Sequence, residues 1–366
     1  MNTTERISRL RARMAEDGLD AMLIFNTERS LSKNVAYYSG FRGTHGWLWI
    51  TADDAALATD FRYTEQAAQQ APDYRVIRMA AGYDWFSEVV SASGARSIGI
   101  EDESVTVAAY KALTEKLQAL DPAPKLVSTA DMADQLRAVK DAAELETLIK
   151  AIEIADEAVE TVAAGIRPGM TERQIAWDIE RAMRSLGADG LSFPTIVASG
   201  PNGAKAHHSP TDRVLEYGDG VYIDTGALYE GYCSDITRAF VLGEASPKFR
   251  EIYDLVLAAQ EAAEANAKAG MTGGEIDGIA RAVIAEAGYG DDFGHCLGHG
   301  IGFAVHELPR VGPTSDDPIE DGMVFSVEPG IYLNGWGGVR IEDLVVMENG
   351  KPRILTKAHK RDVIPV

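Results

Sequence analysis

Tyr222-Ile223-Asp224-Thr225-Gly226-Ala227-Leu228-Tyr229-Glu230-Gly231-Tyr232-Cys233-Ser234-Asp235-Ile236-Thr237-Arg238-Ala239-Phe240 has alternating residues on each side of a glycine-containing turn, the pattern of a β-hairpin. The turn is predicted near Tyr229-Glu230-Gly231. Asp224 and Asp235 stand eleven residues apart. A turn centred between Tyr229 and Glu230 sets them opposite one another on one face, where cross-strand Cβ atoms lie roughly 5 Å apart. Two like charges at that range on half-buried strands are costly unless something positive sits between them. A metal ion is the simplest such charge. The alternative is one turn Asp and one exposed Asp.

A second hairpin pattern runs from Val324-Phe325-Ser326-Val327-Glu328-Pro329-Gly330 to Gly338-Val339-Arg340-Ile341-Glu342-Asp343. Its centre is Gly335, and Glu328 and Glu342 are equidistant from it. Two hairpins thus offer two opposed pairs of carboxylates, hard to explain as surface charge. Between them lies Phe293-Gly294-His295-Cys296-Leu297-Gly298-His299-Gly300-Ile301-Gly302-Phe303-Ala304-Val305-His306-Glu307-Leu308-Pro309-Arg310. Its glycines argue against a helix and for backbone packed tightly against a neighbour. Five of the seven histidines fall between Ala206 and Glu307. One imidazole added to four carboxylates is a mixed N/O set that suits Mn, Co or Zn. It exceeds the needs of one catalytic zinc and fits two bridged ions.

The two hairpins belong to a repeat. Gly169-Met170-Thr171, Ile175 and Gly187 recur 101 residues later as Gly270-Met271-Thr272, Ile276 and Gly288. The repeat predicts a pseudo-symmetric α/β domain with a site between its halves. Asp141 and Glu144 form a capping-box pattern heading a long helix to about Ala163, and Thr171 with Gln174 opens the next.

The 366 residues suit two domains, with the boundary near Leu136–Asp141: residues 1–137 and 138–366. A helix over 3–17 is followed in the first by short apolar runs at Ala21–Phe25, Val35–Tyr38, Trp47–Ile50 and Ala55–Thr59, and then strands near Tyr74–Met79, Ser97–Glu101 and Lys125–Ser128 alternate with helices near Trp85–Val90 and Val107–Leu120. That is an α/β pattern. It lacks a glycine-rich phosphate loop, and its lone His45 reads as a loop residue without a role. A net charge of −21 disfavours nucleic acid and anionic membranes as partners. Two cysteines, Cys233 and Cys296, give no disulfide framework. They read as buried packing residues, or else as oxidation-sensitive neighbours of a metal. Met1-Asn2-Thr3-Thr4-Glu5-Arg6 reads as the opening of an amphipathic helix, not as an apolar signal segment, and with no run of about 18 apolar residues no transmembrane helix is expected. A cytoplasmic location is expected.

Asp-x10-Asp, Gly-His-Gly-Ile-Gly…His-Glu-Leu-Pro, Val-Glu-Pro-Gly-Ile-Tyr and Arg-Ile-Glu-Asp, in this order, resemble the dinuclear-metal Xaa-Pro peptidases, prolidase and aminopeptidase P. The resemblance implies a creatinase-type N-terminal domain followed by a pita-bread catalytic domain, the fold shared with methionine aminopeptidase and creatinase. It implies Asp224, Asp235, His299, Glu328 and Glu342 as ligands to two divalent ions, Mn first, Co or Zn otherwise. The complete set disfavours creatinase, and the length disfavours methionine aminopeptidase. His207, His295 and His306 match the non-ligand histidines around the substrate. His207 is chosen over His208 because it stands 17 residues before Asp224 and three before Pro210. A departure is Ala206, where the resembled family usually has proline.

The implied reaction is metal-dependent hydrolysis of the bond before a proline in a small peptide. Glu328 takes the proton of the attacking water, and His306 donates to the developing oxyanion. His207 and His295 place the substrate or protonate the leaving nitrogen. Phe193, Ile301 and Tyr332 are candidates for the pocket wall or the core. Arg310 resembles the clamp of prolidases for a dipeptide's free carboxylate, which favours a dipeptidase. An aminopeptidase on longer peptides, or a lyase on a small organic substrate, is the alternative. A homodimer is also implied.

Overall fold

The computed structural model describes residues 3–28, 32–80, 82–102, 104–130 and 132–365. They fall into two compact units, Met1–Leu136 and Arg137–Val366. No described helix is long and apolar enough to cross a membrane.

The first unit is a six-stranded mixed sheet flanked by helices. In chain order it contains α1 (Thr3–Glu16), β1 (Ala21–Asn26), α2 (Asn34–Ser39), β2 (Gly46–Thr51), β3 (Ala55–Thr59), α3 (Thr64–Gln70), β4 (Arg75–Arg78), α4 (Asp84–Ser93), β5 (Ser97–Ile100), α5 (Val107–Gln118) and β6 (Lys125–Ser128). The sheet order is β4-β3-β2-β1-β5-β6. Strands β1 and β2 are buried along nearly their whole length. Leu23, Phe25, Trp47, Trp49, Ile98 and Ile100 form the core with Phe86 and Leu113. His45 lies here, its carbonyl accepting the Thr59 hydroxyl at 2.6 Å. Helix α6 (Met132–Ala138) follows the sheet.

The second unit repeats one motif twice. Its first half comprises α7 (Ala142–Ala163), α8 (Glu172–Ser185), β7 (Gly190–Leu191), β8 (Ile196–Ser199), a 3-10 turn (Gly200–Ala204), β9 (Gly220–Thr225), β10 (Ala227–Tyr229), β11 (Tyr232–Cys233) and β12 (Ile236–Leu242). Its second half comprises α9 (Pro247–Asn266), α10 (Gly273–Glu286), a 3-10 turn (Gly290–Asp292), β13 (Gly298–Gly300), β14 (Glu307–Val311), β15 (Val324–Val327), β16 (Gly330–Leu333), β17 (Gly337–Arg340), β18 (Asp343–Glu348) and β19 (Lys351–Ile354). The last strand, β20 (Val363–Ile364), returns to pair with β12.

Each half packs a pair of helices on a sheet over its own core. One core joins Ile154, Ile175, Ile179, Ile223 and Phe240; the other joins Val256, Ile276, Ile284, Phe325 and Val345. The capping boxes expected from Asp141/Glu144 and Thr171/Gln174 are formed, and Thr272/Glu275 repeats the second. The repeat extends to backbone detail. Gly169 N–H bonds the Leu215 carbonyl, and Gly270 N–H bonds that of Ile319. Thr171 bridges Val214, and Thr272 bridges Pro318.

The first hairpin differs from expectation by one step. Tyr229 pairs with Tyr232, so the turn is centred between Glu230 and Gly231. Asp224 faces Thr237 across the ladder, not Asp235. The cause is the turn. A two-residue hairpin turn of the favoured hand needs positive φ at both central residues, and Glu230 and Gly231 supply 48° and 88°. Asp235 nonetheless keeps the face of Asp224. It lies two residues before Thr237, and side chains on a strand alternate with period two. The second hairpin has the expected register, since Gly330 pairs with Arg340 and Val327 with Asp343. Glu328 and Glu342 sit in the gaps between those two ladders.

Candidate metal centre

Strand alternation sends Asp224 from β9 and Asp235, just before β12, into one buried pocket, where Glu342 arrives from the link between β17 and β18. One carboxylate oxygen from each lies within 4.8 Å of the others. His299 on β13 and Glu328 after β15 complete the cluster. His299 Nε2 is 3.3 Å from Glu328 Oε1 and 3.8 Å from Asp235 Oδ2. Close packing of glycines brings β13 in: a Cβ on Gly298 would stand 1.9 Å from the Ser326 carbonyl oxygen, and one on Gly300 2.1 Å from that of Leu308.

Four carboxylates meet here against one guanidinium and one imidazole. Burial pushes the Asp224, Asp235 and Glu342 carboxyls upward, and the neighbouring carboxylates add to the shift. Burial also opposes the charge on Glu328. The hydrogen bond and charge of His299 outweigh it and hold that carboxyl at about 2. The same contact raises His299 although burial lowers it.

The donor set fits divalent cations on its own chemistry. Asp224 Oδ1, Asp235 Oδ1 and Glu342 Oε1 are buried and have no hydrogen-bond partner among the described residues. Orphaned anionic oxygens are expensive, and a cation removes the cost. His299 Nδ1 donates to the Gly300 carbonyl at 3.0 Å, so replacing the Nε2 proton by a cation would leave a neutral imidazole already in the tautomer that presents the Nε2 lone pair.

An outer layer orients these groups. The Thr237 hydroxyl donates to Glu342 Oε2 at 2.8 Å, and Ser326 Oγ donates to Glu328 Oε1 at 3.0 Å. Arg340, buried, donates to Asp224 Oδ2, to Thr237 Oγ1 at 3.1 Å, to the Tyr332 hydroxyl at 2.6 Å and to the Ala206 carbonyl at 3.2 Å. Behind them the Arg238 guanidinium bonds the Glu342 carbonyl and Asp343. The sequence reading missed Thr237, Ser326 and Arg238. The signal was available for Thr237, which shares strand parity with Asp235.

The cluster opens into a cavity of about 740 Å³ lined by Phe193, Ile196, His207, Val305, His306 and Arg310 among others. His306 is exposed to it and stacks edge-on against His299, with ring centroids 4.2 Å apart. Burial and the His299 charge lower its pKa, which keeps it neutral. His207 is exposed to the cavity. His208 is buried, with its Nε2 2.9 Å from Glu172. His295 is engaged at both nitrogens: Nδ1 donates to the Cys296 carbonyl at 2.7 Å, and Nε2 accepts from Tyr332 at 3.0 Å. Arg310 is exposed on the cavity wall and forms no ion pair with a described carboxylate.

Of the wall candidates, Phe193 lines the cavity, Ile301 is fully buried core and Tyr332 serves the Arg340–His295 chain. Cys233 is buried as expected, but Cys296 is exposed and lines the cavity. One side of Cys296 packs on Gly312, where a Cβ would stand 2.4 Å from its sulfur, and the other side faces the cavity.

Two family models match the chain: Metallopeptidase family M24 over residues 146–349 and the Creatinase/Prolidase N-terminal domain over residues 6–139. A Xaa-Pro dipeptidase of Pyrococcus horikoshii is 37% identical, over 97% of this chain and 98% of its own. Among solved structures, a Xaa-Pro dipeptidase from Bacillus anthracis superposes with a TM-score of 0.92 at 40% identity, covering 100% of both chains. An X-Pro aminopeptidase from Thermotoga maritima gives a TM-score of 0.92 at 41% identity, covering 98% of this chain and 99% of its own.

Proposed function

Because this chain belongs to metallopeptidase family M24 and has its pita-bread fold, we propose that it hydrolyses the bond before proline in Xaa-Pro dipeptides, using two divalent metal ions. Asp224, Asp235, His299, Glu328 and Glu342 would hold the ions, Mn²⁺ in the first place and Co²⁺ or Zn²⁺ otherwise. The observation that carries this reading is the convergence of three partnerless carboxylate oxygens with His299 in a buried pocket at the cavity floor. Bound there, the ions supply a water acidified toward neutrality and a Lewis acid for the scissile carbonyl.

The chain's own groups do the rest. Glu328, oriented by Ser326, takes the proton of the attacking water. His306, neutral and exposed, donates a hydrogen bond to the carbonyl oxygen as it gains charge; such a donor is worth about 10²–10³ in rate. His207 faces the cavity and orients the proline side of the substrate. His295 contributes by position, because both its nitrogens are engaged. Arg310 pairs with the dipeptide's free carboxylate, a task suited to an uncommitted guanidinium. A proline nitrogen carries no N–H, so a dedicated pocket is needed. We extend the proposal to a cytoplasmic homodimer.

Exhaustive chelation is expected to abolish cleavage of Ala-Pro, and added Mn²⁺ to restore it. The likeness to the Thermotoga maritima aminopeptidase supports a second reading, cleavage of longer peptides. Faster turnover of Ala-Pro than of Ala-Pro-Ala supports the dipeptidase; the reverse order supports the aminopeptidase.

A further inference from the structure

His207 sits in an arm, residues 199–211, that has no regular structure after its 3-10 turn ends at Ala204. Irregular backbone must find partners for its polar groups elsewhere. Four of this arm's side chains and the backbone N–H groups of its first and last residues converge on one carboxylate. Glu172, at the first turn of α8, is 0% exposed. Its Oε1 accepts from the Ser199 N–H at 2.9 Å, the Ser199 hydroxyl at 2.7 Å and Asn202 Nδ2 at 3.0 Å. Its Oε2 accepts from His208 Nε2 at 2.9 Å, the Thr211 N–H at 3.0 Å and the Thr211 hydroxyl at 2.7 Å. The donors bracket His207 on both sides.

The arm's other flank is fixed too. The Tyr222 hydroxyl donates to the Lys205 carbonyl at 2.6 Å, and Arg340 donates to that of Ala206. With residues 205 and 206 held from one side and 208 from the other, the His207 ring is left facing the cavity.

We propose that Glu172 is a positioning residue for His207. It acts through the arm and touches neither substrate nor metal ligands. The role rests on the dipeptidase reading above for its catalytic consequence, but not for the placement itself. An ionised carboxylate offers acceptors only, so it can gather six donors at once. A glutamine must present its N–H₂ to three of them, and the arm then loses its anchor.

The test compares Glu172→Gln, His207→Ala and the double variant on Ala-Pro with Mn²⁺ loaded. A misplacement of about 1 Å costs up to about 10²-fold in rate. Glu172→Gln is expected to lose kcat/KM on that scale with bound metal unchanged. The double variant is expected to be no worse than His207→Ala alone, because the two changes remove one contribution. Thr211→Val, which removes a single donor, is expected to show a smaller loss in the same direction and decides the matter if Glu172→Gln does not fold. Parental kcat/KM in the variants, or losses that multiply in the double variant, would overturn the proposal. Hydrogen exchange separates it from the dipeptidase reading: amides 203–209 are expected to exchange faster in Glu172→Gln whichever peptide is cleaved, and unchanged exchange would overturn the placement.

Discussion

The two halves of the repeat begin their second helices alike and then diverge by one residue. Thr171 and Thr272 cap α8 and α10 with the same box. The next position is Glu172 in the first half and Gly273 in the second. Glu172 gathers the irregular arm that carries His207. At Gly273 a Cβ would stand 1.9 Å from the Arg310 carbonyl oxygen, so the backbone of β14 rests directly on the helix. One half therefore holds its cavity histidine with a buried charge, and the other holds its cavity arginine by backbone contact. Pseudo-symmetry supplies a shared frame, and single residues within it decide how each substrate-facing group is held.

The comparison breaks most completely at the frame both halves share. Asp235→Asn removes a ligand from the first half and Glu342→Gln one from the second. Each is expected to cost more activity than the roughly 10–100-fold expected of an outer partner, with loss of bound metal by elemental analysis. Thr237→Val tests that outer layer. A weakening of Mn²⁺ binding by about 10–100-fold is expected in a calorimetric titration, with the fold intact by circular dichroism.

Gly273→Ala tests the backbone contact. Overpacking of this kind costs about 1–3 kcal/mol, read as a lowered thermal midpoint. The displaced Arg310 should appear as a raised KM for Ala-Pro at unchanged metal content.

The smallest effect is electrostatic. Burial raises the Glu172 pKa, but the donors led by His208 and Thr211 outweigh it and hold the carboxyl at about 2 against an ordinary 4.5. A folded pKa below the unfolded one gives stability that is full above the unfolded value and lost as pH falls through the folded one. Denaturant unfolding is therefore expected to weaken between about pH 5 and pH 2. In Glu172→Gln that acid slope should be shallower.

Much of this was legible in the chain. Capping boxes, the 101-residue repeat and the register about Gly335 follow from local rules that tertiary packing did not override. The first turn lies one position beyond the alternation's centre because Glu230 and Gly231 together meet its need for positive φ. The even period of the strand kept both aspartates on one face regardless. Strand parity with Asp235 puts Thr237 on the cluster's face, but the contacts that give the supporting residues their roles are not displayed in the sequence. Thr237, Ser326 and Glu172 are short polar residues or a helix-start acid, and their roles arise from contacts across 2 to 105 residues. Likewise His207 and His208 are alike in residue type. Spacing to Asp224 favours His207, and the buried partner of His208 is the physical distinction between them.

The most direct test titrates chelated, metal-free protein with Mn²⁺ while following both bound metal and Ala-Pro hydrolysis. No turnover is expected at the start, with activity rising with occupancy to a plateau at two ions per chain. Undiminished turnover in the metal-free protein would contradict the two-metal reading.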